Sequence, residues 1–132
     1  MDRSRAGARR RTHGWEPPPG DRRLGDRRLK GLVEIPARVP DSASAWAIYA
    51  ILLPDEPTRA RAQSGLRAAG VPSAIYYPRP LHHQPAYRDR HDGAPLPVSE
   101  SLATRILALP IHPDLAEDDA NRVCDALAAA LG

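Results

Sequence analysis

The sequence predicts an α+β domain in which a short sheet carries helices on one face, preceded by a disordered basic tail. Three observations lead to that expectation. Residues 45–53 (AWAIYAILL) are a run of β-formers of the length of a buried strand. Residues 117–131 place Ala120, Val123, Cys124, Leu127 and Leu131 at i, i+3, i+4, i+7 and i+11, one apolar stripe of a helix. Between them the patterns run in the order β-α-β-loop-α-α, the texture of helices set against one side of a small sheet.

The chain of 132 residues is the size of one domain with a modest core. Residues 1–29 are expected to stand outside that core as an Arg-rich tail. They hold few aliphatic side chains, a Pro-Pro-Pro-Gly break and two copies of GDRRL, too little apolar surface to offset the entropy of ordering. Charge divides at the same place. Residues 1–30 carry nine arginines and Lys30 against four acids, a net +6, whereas the remainder carries nine arginines against twelve acids, a net −3. A nucleic-acid-binding arm is therefore an alternative function, since clustered Arg neutralises phosphates, but no recognisable module accompanies the charge.

Lys30–Pro40 alternates apolar residues and prolines, as an extended segment does. After the strand, Pro54-Asp55-Glu56-Pro57 begins a helix with acids at its positive end and a proline in its first turn. That helix is expected to run to Ala69 and stop at Gly70, with Gly65 weakening its middle by about 1 kcal/mol relative to alanine. Val71–Tyr77 reads as a second strand ended by Pro78. PVSESLATRIL reads as a helix with Val98, Leu102, Ile106 and Leu109 on one stripe, ended by Pro110. The final helix, Glu117–Leu131, opens with three acids that suit its N-terminus, although Ala116 supplies no capping side chain.

No apolar run has the length of a membrane span, and no apolar segment follows the N-terminal charge as in a secretory signal. The single Cys124 cannot form an internal disulfide, which favours the cytoplasm. It lies on the apolar stripe of the last helix, where burial rather than nucleophilic chemistry is expected.

Chemistry-bearing residues concentrate in residues 74–87, AIYYPRPLHHQPAY. Four histidines, His82, His83, His91 and His112, raise the question of a metal. Their spacing matches no zinc finger and no His-Glu-x-x-His helix, so no metal site is expected. Glu100 and Asp92 could pair as acid and base, but nothing in the sequence places them together. Three prolines (Pro78, Pro80 and Pro85) fix φ and lower the entropy cost of holding phenols and imidazoles in place, as an edge for a sugar or nucleotide requires. Strand alternation predicts that one of Tyr76 and Tyr77 is buried and the other presented.

The segments SAWAIYAILLP, LRAAGVPSAIYYPRPLHHQPAY, LPVSESLATRILALPIHPDL and AEDDANRVCDAL resemble the C-terminal part of the DegT/StrS sugar-nucleotide aminotransferases. The family loop His-Tyr-Pro-x-Pro-Leu-His-x-Gln-Pro-x-Tyr and a Pro-Val-x-Glu-x-x-Ala-x-x-x-Leu-x-Leu-Pro-x-x-Pro-x-Leu run are both present in order, over residues 30–132. The resemblance implies the small C-terminal domain of a fold-type I enzyme whose large domain binds pyridoxal phosphate. Such enzymes are homodimers that move an amino group from glutamate to a keto-sugar nucleotide. It assigns Tyr76, Tyr77 and His82 to the substrate side of the site, with Tyr76 standing where the family more often has histidine. The family's cofactor aspartate, phosphate-binding residues and Schiff-base lysine have no counterpart in these residues, and Lys30 is the only lysine. The chain is thus expected to be truncated, to bind no cofactor alone and to be inactive by itself. A separately encoded large domain would complete it in trans. The alternative is a non-catalytic regulator or pseudoenzyme of the same fold.

Overall fold

The structure is a computed structural model that describes residues 28–37, 40, 47–112 and 114–132. Most of the basic tail lies outside the described residues. Its last two residues do not behave as tail. Leu29 is 1% exposed and belongs to the core, while Arg28 donates to Asn121 Oδ1 at 2.9 Å and pairs with Asp125. One leucine in an Arg-rich run carries no periodicity, so the sequence pattern could not assign it to the interior.

The strand expected in the apolar run is β1, Tyr49–Leu52. Its partner is β2, Ile106–Leu109, paired antiparallel in the register Tyr49↔Leu109, Ala50↔Ala108, Ile51↔Leu107 and Leu52↔Ile106. Residues directly opposite share a face, so Tyr49, Ile51, Leu107 and Leu109 all point to the same side and into the core. Single bridges widen this ribbon at both edges. Glu34 exchanges both backbone bonds with Leu52, at 3.0 and 2.9 Å. Ala74 does the same with Ala108, at 3.1 and 2.7 Å.

Two expectations are corrected by this sheet. The predicted second strand, 71–77, contributes only the Ala74 bridge before turning away. The predicted long helix ends early: α2 spans Pro97–Arg105, and the four residues after it are strand. The expected stripe fails with it, since Val98 is 72% and Leu102 37% exposed, and Ala103 is the residue that α2 buries. A short apolar run such as ILAL suits helix or strand equally, and pairing decides. Arg105 makes the switch. Its carbonyl accepts from the Leu53 N–H at 3.0 Å, and its Nε donates to the Leu53 carbonyl at 2.8 Å. Its guanidinium also reaches Glu34 at 3.2 Å, so both strand-side segments are tied to the end of α2.

The helix after β1, α1, spans Glu56–Ala68 and starts as the local sequence requires. Asp55 Oδ1 accepts from the Thr58 N–H at 2.8 Å, which holds the Asp55 carboxyl below its ordinary range. Gly70 ends the helix at φ +70°, a left-handed conformation costly for any residue with a side chain. The last helix, α3, spans Glu117–Leu131, as the periodicity predicts. It buries Ala120, Val123, Cys124 and Leu127, and Arg122 donates at 2.8 Å to the Ala69 carbonyl at the end of α1.

The core lies between the sheet face and these two helices. Ala62 and Leu66 of α1 meet Val123, Cys124 and Leu127 of α3 and the strand side chains. In this contact Gly65 acquires a reason that propensity does not supply. A Cβ built on it would fall far inside contact distance of the Ala130 Cβ, so glycine is what lets α1 and α3 cross this closely. Gly65→Ala should therefore lower the unfolding free energy in urea by about 1–2 kcal/mol, overpacking outweighing the helix-propensity gain of about 1 kcal/mol. Adding Ala130→Gly to that variant should recover most of the loss. A Gly65→Ala chain at least as stable as the parent would show that the helices separate freely.

Candidate functional site

Beyond Ala74 the chain leaves the sheet and builds a loop out of its own backbone groups. A 3₁₀ turn at Leu81–His83 is followed by another at Arg88–Arg90. Gln84 links them: its carbonyl accepts from the N–H groups of Tyr87 and Arg88 at 3.0 and 2.9 Å, and its side-chain amide donates to the Arg79 carbonyl at 3.2 Å. Farther on, His91 Nδ1 accepts from the Gly93 N–H at 3.0 Å and Asp92 Oδ1 from the Ala94 N–H at 2.9 Å, closing the turn that leads into α2.

The adjacent tyrosines do not divide between core and solvent as alternation predicts. Tyr76 is 47% and Tyr77 71% exposed, their rings meeting edge to face at 5.9 Å. The reason is that strand geometry ends with Ala74, so the alternation of a pleated strand no longer applies. Both phenols are presented. Tyr87, which could have packed as an anchor, is also 47% exposed.

His82 is different. Its side chain is 7% exposed and its Nε2 lies 3.0 Å from Glu100 Oε1. Among the described residues its ring is turned toward Glu100, whereas the two phenols face the open surface. The same ring lies 4.1 Å from that of His83 and 4.9 Å from that of His91. Glu100 sits in the first turn of α2 and also accepts from the Leu96 N–H at 3.1 Å. It thus satisfies the helix start where Leu96, at the capping position, has no side chain able to do so. These bonds to His82 and Leu96 hold the Glu100 carboxyl below its ordinary range.

Glu100 is the site residue that sequence reasoning missed as His82's partner, for the two stand 18 positions apart. A weak signal does exist. A helix that opens Leu-Pro has no capping oxygen of its own, so an acid in its first turn is the natural acceptor. Of the acid pair that the sequence leaves open, Asp92 bonds within its own turn and Glu100 bonds to His82 and Leu96; no bond between the two is found among the described residues. Donor atoms of His82, His83 and Glu100 all lie within 4.8 Å of one another, a grouping that spacing does not predict. Cys124 is buried, and burial pushes its thiol up, away from the reactive thiolate.

Beside Tyr76, a cavity of about 250 Å³ is lined by Ile48, Pro72, Ala74, Leu109 and Ile111 among others. A second, of about 510 Å³, lies between α1 and the 71–73 segment, around Gln63, Ser64 and Arg67. Neither cavity is lined by a lysine or a carboxylate. Lys30 is exposed, bridged through its backbone to Val33. A pyridoxal group needs an amine to condense with and an acid for its ring nitrogen, and the described residues do not provide that set.

The small α+β unit that carries this loop has counterparts among known proteins. The description "DegT/DnrJ/EryC1/StrS aminotransferase family" matches residues 21–128. The chain belongs to this aminotransferase family. Over 87 residues it is 39% identical to the UDP-2-acetamido-2-deoxy-3-oxo-D-glucuronate aminotransferase of Pseudomonas aeruginosa, covering 66% of this chain and 23% of that protein. A family aminotransferase from Brucella abortus superposes with a TM-score of 0.72 at 40% identity, covering 84% of this chain and 29% of the other. The Streptomyces venezuelae protein DesV, solved in complex with a ketimine intermediate, gives 0.69 at 34% identity over 82% of this chain and 30% of its own. The chain thus spans about a quarter of the length of the curated relatives it matches. No helix among the described residues is long and apolar enough to cross a membrane.

The His82–Glu100 bond has a pH signature. A carboxyl whose folded pKa is depressed stabilises the fold above its ordinary value and loses that contribution as pH falls through the lower, folded value. In metal-free buffer, the Glu100 carboxyl followed by NMR should titrate below a free glutamate. Replacing His82 by Asn should move it upward, since the largest cause of the shift is removed. An unchanged Glu100 titration in that variant would mean that the pair does not form.

Proposed function

We propose that this domain forms the substrate-facing side of a sugar-nucleotide aminotransferase, with Tyr76 and Tyr77 contacting a keto-sugar nucleotide and His82 holding their loop through Glu100. The observation that carries the reading is the coincidence of the family match with two exposed, adjacent phenols on a loop fastened at its base. Phenols supply both hydrogen bonds and a flat surface for a sugar ring or a base, and a pre-set loop loses little entropy when it binds them. Where the family more often has an imidazole, Tyr76 offers a hydroxyl that can both donate and accept a hydrogen bond.

Pyridoxal phosphate is the cofactor this family membership implies, with glutamate as the amino donor. The described residues offer no set that fits it, and on this reading a large domain supplies the Schiff-base lysine and the ring-nitrogen acid. On this reading the 132 residues alone do not transaminate, and the proposed place of work is the cytoplasm, where nucleotide sugars are made.

A chimera in which residues 30–132 replace the matching C-terminal part of the Pseudomonas aeruginosa relative tests this. It should transaminate, and Tyr77→Ala should raise KM for the sugar nucleotide about tenfold, the worth of one or two hydrogen bonds. The half-reaction with glutamate should be unaffected. The 132-residue chain with pyridoxal phosphate and glutamate should give no turnover. Turnover by that chain alone would sink the incompleteness proposal, and an unchanged KM in the chimera would remove Tyr77 from the substrate site.

A further inference from the structure

The cluster at the base of the loop has donor atoms that the domain's own hydrogen bonds do not use. Glu100 Oε1 takes the bonds from both His82 Nε2 and the Leu96 N–H, so Oε2 has no hydrogen-bond partner among the described residues. His83 Nε2 stands 3.9 Å from Glu100 Oε1, beyond a hydrogen bond. One donor atom each from His82, His83 and Glu100 falls within 4.8 Å of the others. The group has a covered wall and an open mouth, with the His82 side chain 7% exposed and that of His83 53%.

A tetrahedral ion with bonds of about 2.0–2.2 Å to nitrogen and oxygen holds its donors roughly 3.4 Å apart. To reach that, the widest separation, up to 4.8 Å, must close by roughly 1.4 Å, while the 3.0 Å His82–Glu100 pair opens slightly; the half-exposed His83 ring can supply most of the movement. His91 lines the group without completing it, because its Nδ1 already accepts from Gly93.

We propose that His82, His83 and Glu100 bind a borderline divalent transition-metal ion, Zn²⁺ or a similar one, with water in the fourth position. Two imidazoles and one carboxylate select for such ions, whereas Mg²⁺ and Ca²⁺ require oxygen ligands. The ion takes the place of the proton that His82 Nε2 shares with Glu100, and the neutral ring then carries its proton at Nδ1. Bound there, it fastens the Leu81–His83 turn to the first turn of α2 and stiffens the segment that carries Tyr76 and Tyr77. The binding is a property of these three side chains and holds whether or not the domain serves transamination.

The untagged 132-residue chain, titrated with ZnCl₂ by calorimetry and with CoCl₂ by visible absorption, tests the site. One ion per chain should bind, Co²⁺ should give the intense visible bands of a tetrahedral complex, and MgCl₂ should not compete. His83→Ala, which removes an exposed ring and leaves the fold intact, should weaken Zn²⁺ binding by at least about tenfold. Glu100→Gln should do the same, whereas His13→Ala and His112→Ala should not. Equal affinity in the parent and the His83→Ala chain would overturn the proposal, as would Mg²⁺ binding as tight as that of Zn²⁺ or loss of binding in the His13 or His112 variants.

Discussion

The antiparallel pairing of Tyr49–Leu52 with Ile106–Leu109 is the constraint to which the other features trace back. It joins segments far apart in the chain and sets the four large side chains of one face against α1 and α3. It also fixes where α2 must end. Once Ile106 enters the ladder, Arg105 lies at the junction of helix and strand, and its bonds to Leu53 and Glu34 lock that junction. α2 in turn carries Glu100, so the position of the loop's anchoring carboxylate is inherited from the sheet register. A shift of one residue in that register would turn Leu107 and Leu109 away from the core and displace Glu100 from His82.

A second constraint operates on the other side of the core. α1 and α3 approach closely enough that position 65 tolerates no side chain, and Arg122 satisfies a terminal carbonyl of α1 across the same contact. The crossing leaves Leu66, Val123, Cys124 and Leu127 with little exposed surface. A rigid platform results, and on it the loop of residues 76–96 needs few contacts of its own. It is held by the Gln84 bonds, the turn around Gly93 and the bond from His82 to Glu100.

That division of labour explains the surface the domain displays. Tyr76, Tyr77, Leu81, Tyr87, Leu96 and Val98 are all substantially exposed, more apolar and aromatic area than a loop needs to reach solvent. In a chain that spans about a quarter of the length of its relatives, this is the kind of surface that the proposed substrate-facing role requires. His82, by contrast, is covered and bonded to Glu100.

Elements with local signals are legible in the amino-acid order without any fold. The α1 boundaries follow from Asp55 and Gly70, α3 from its 3.6-residue stripe, and β1 from its run of β-formers. The loop's importance is legible too, because proline and aromatic density marks it without reference to anything distant, and the family motif can be read along it. Long-range packing settles the rest. ILAL is strand because β1 offers it a partner, Leu29 is core because the neighbouring elements leave a gap for it, and Gly65 is a contact because Ala130 faces it. Above all, Glu100 chooses which loop residue turns inward. Residues 18 apart share no periodicity that a sequence can display, and only the folded chain brings an imidazole and a carboxylate to 3.0 Å.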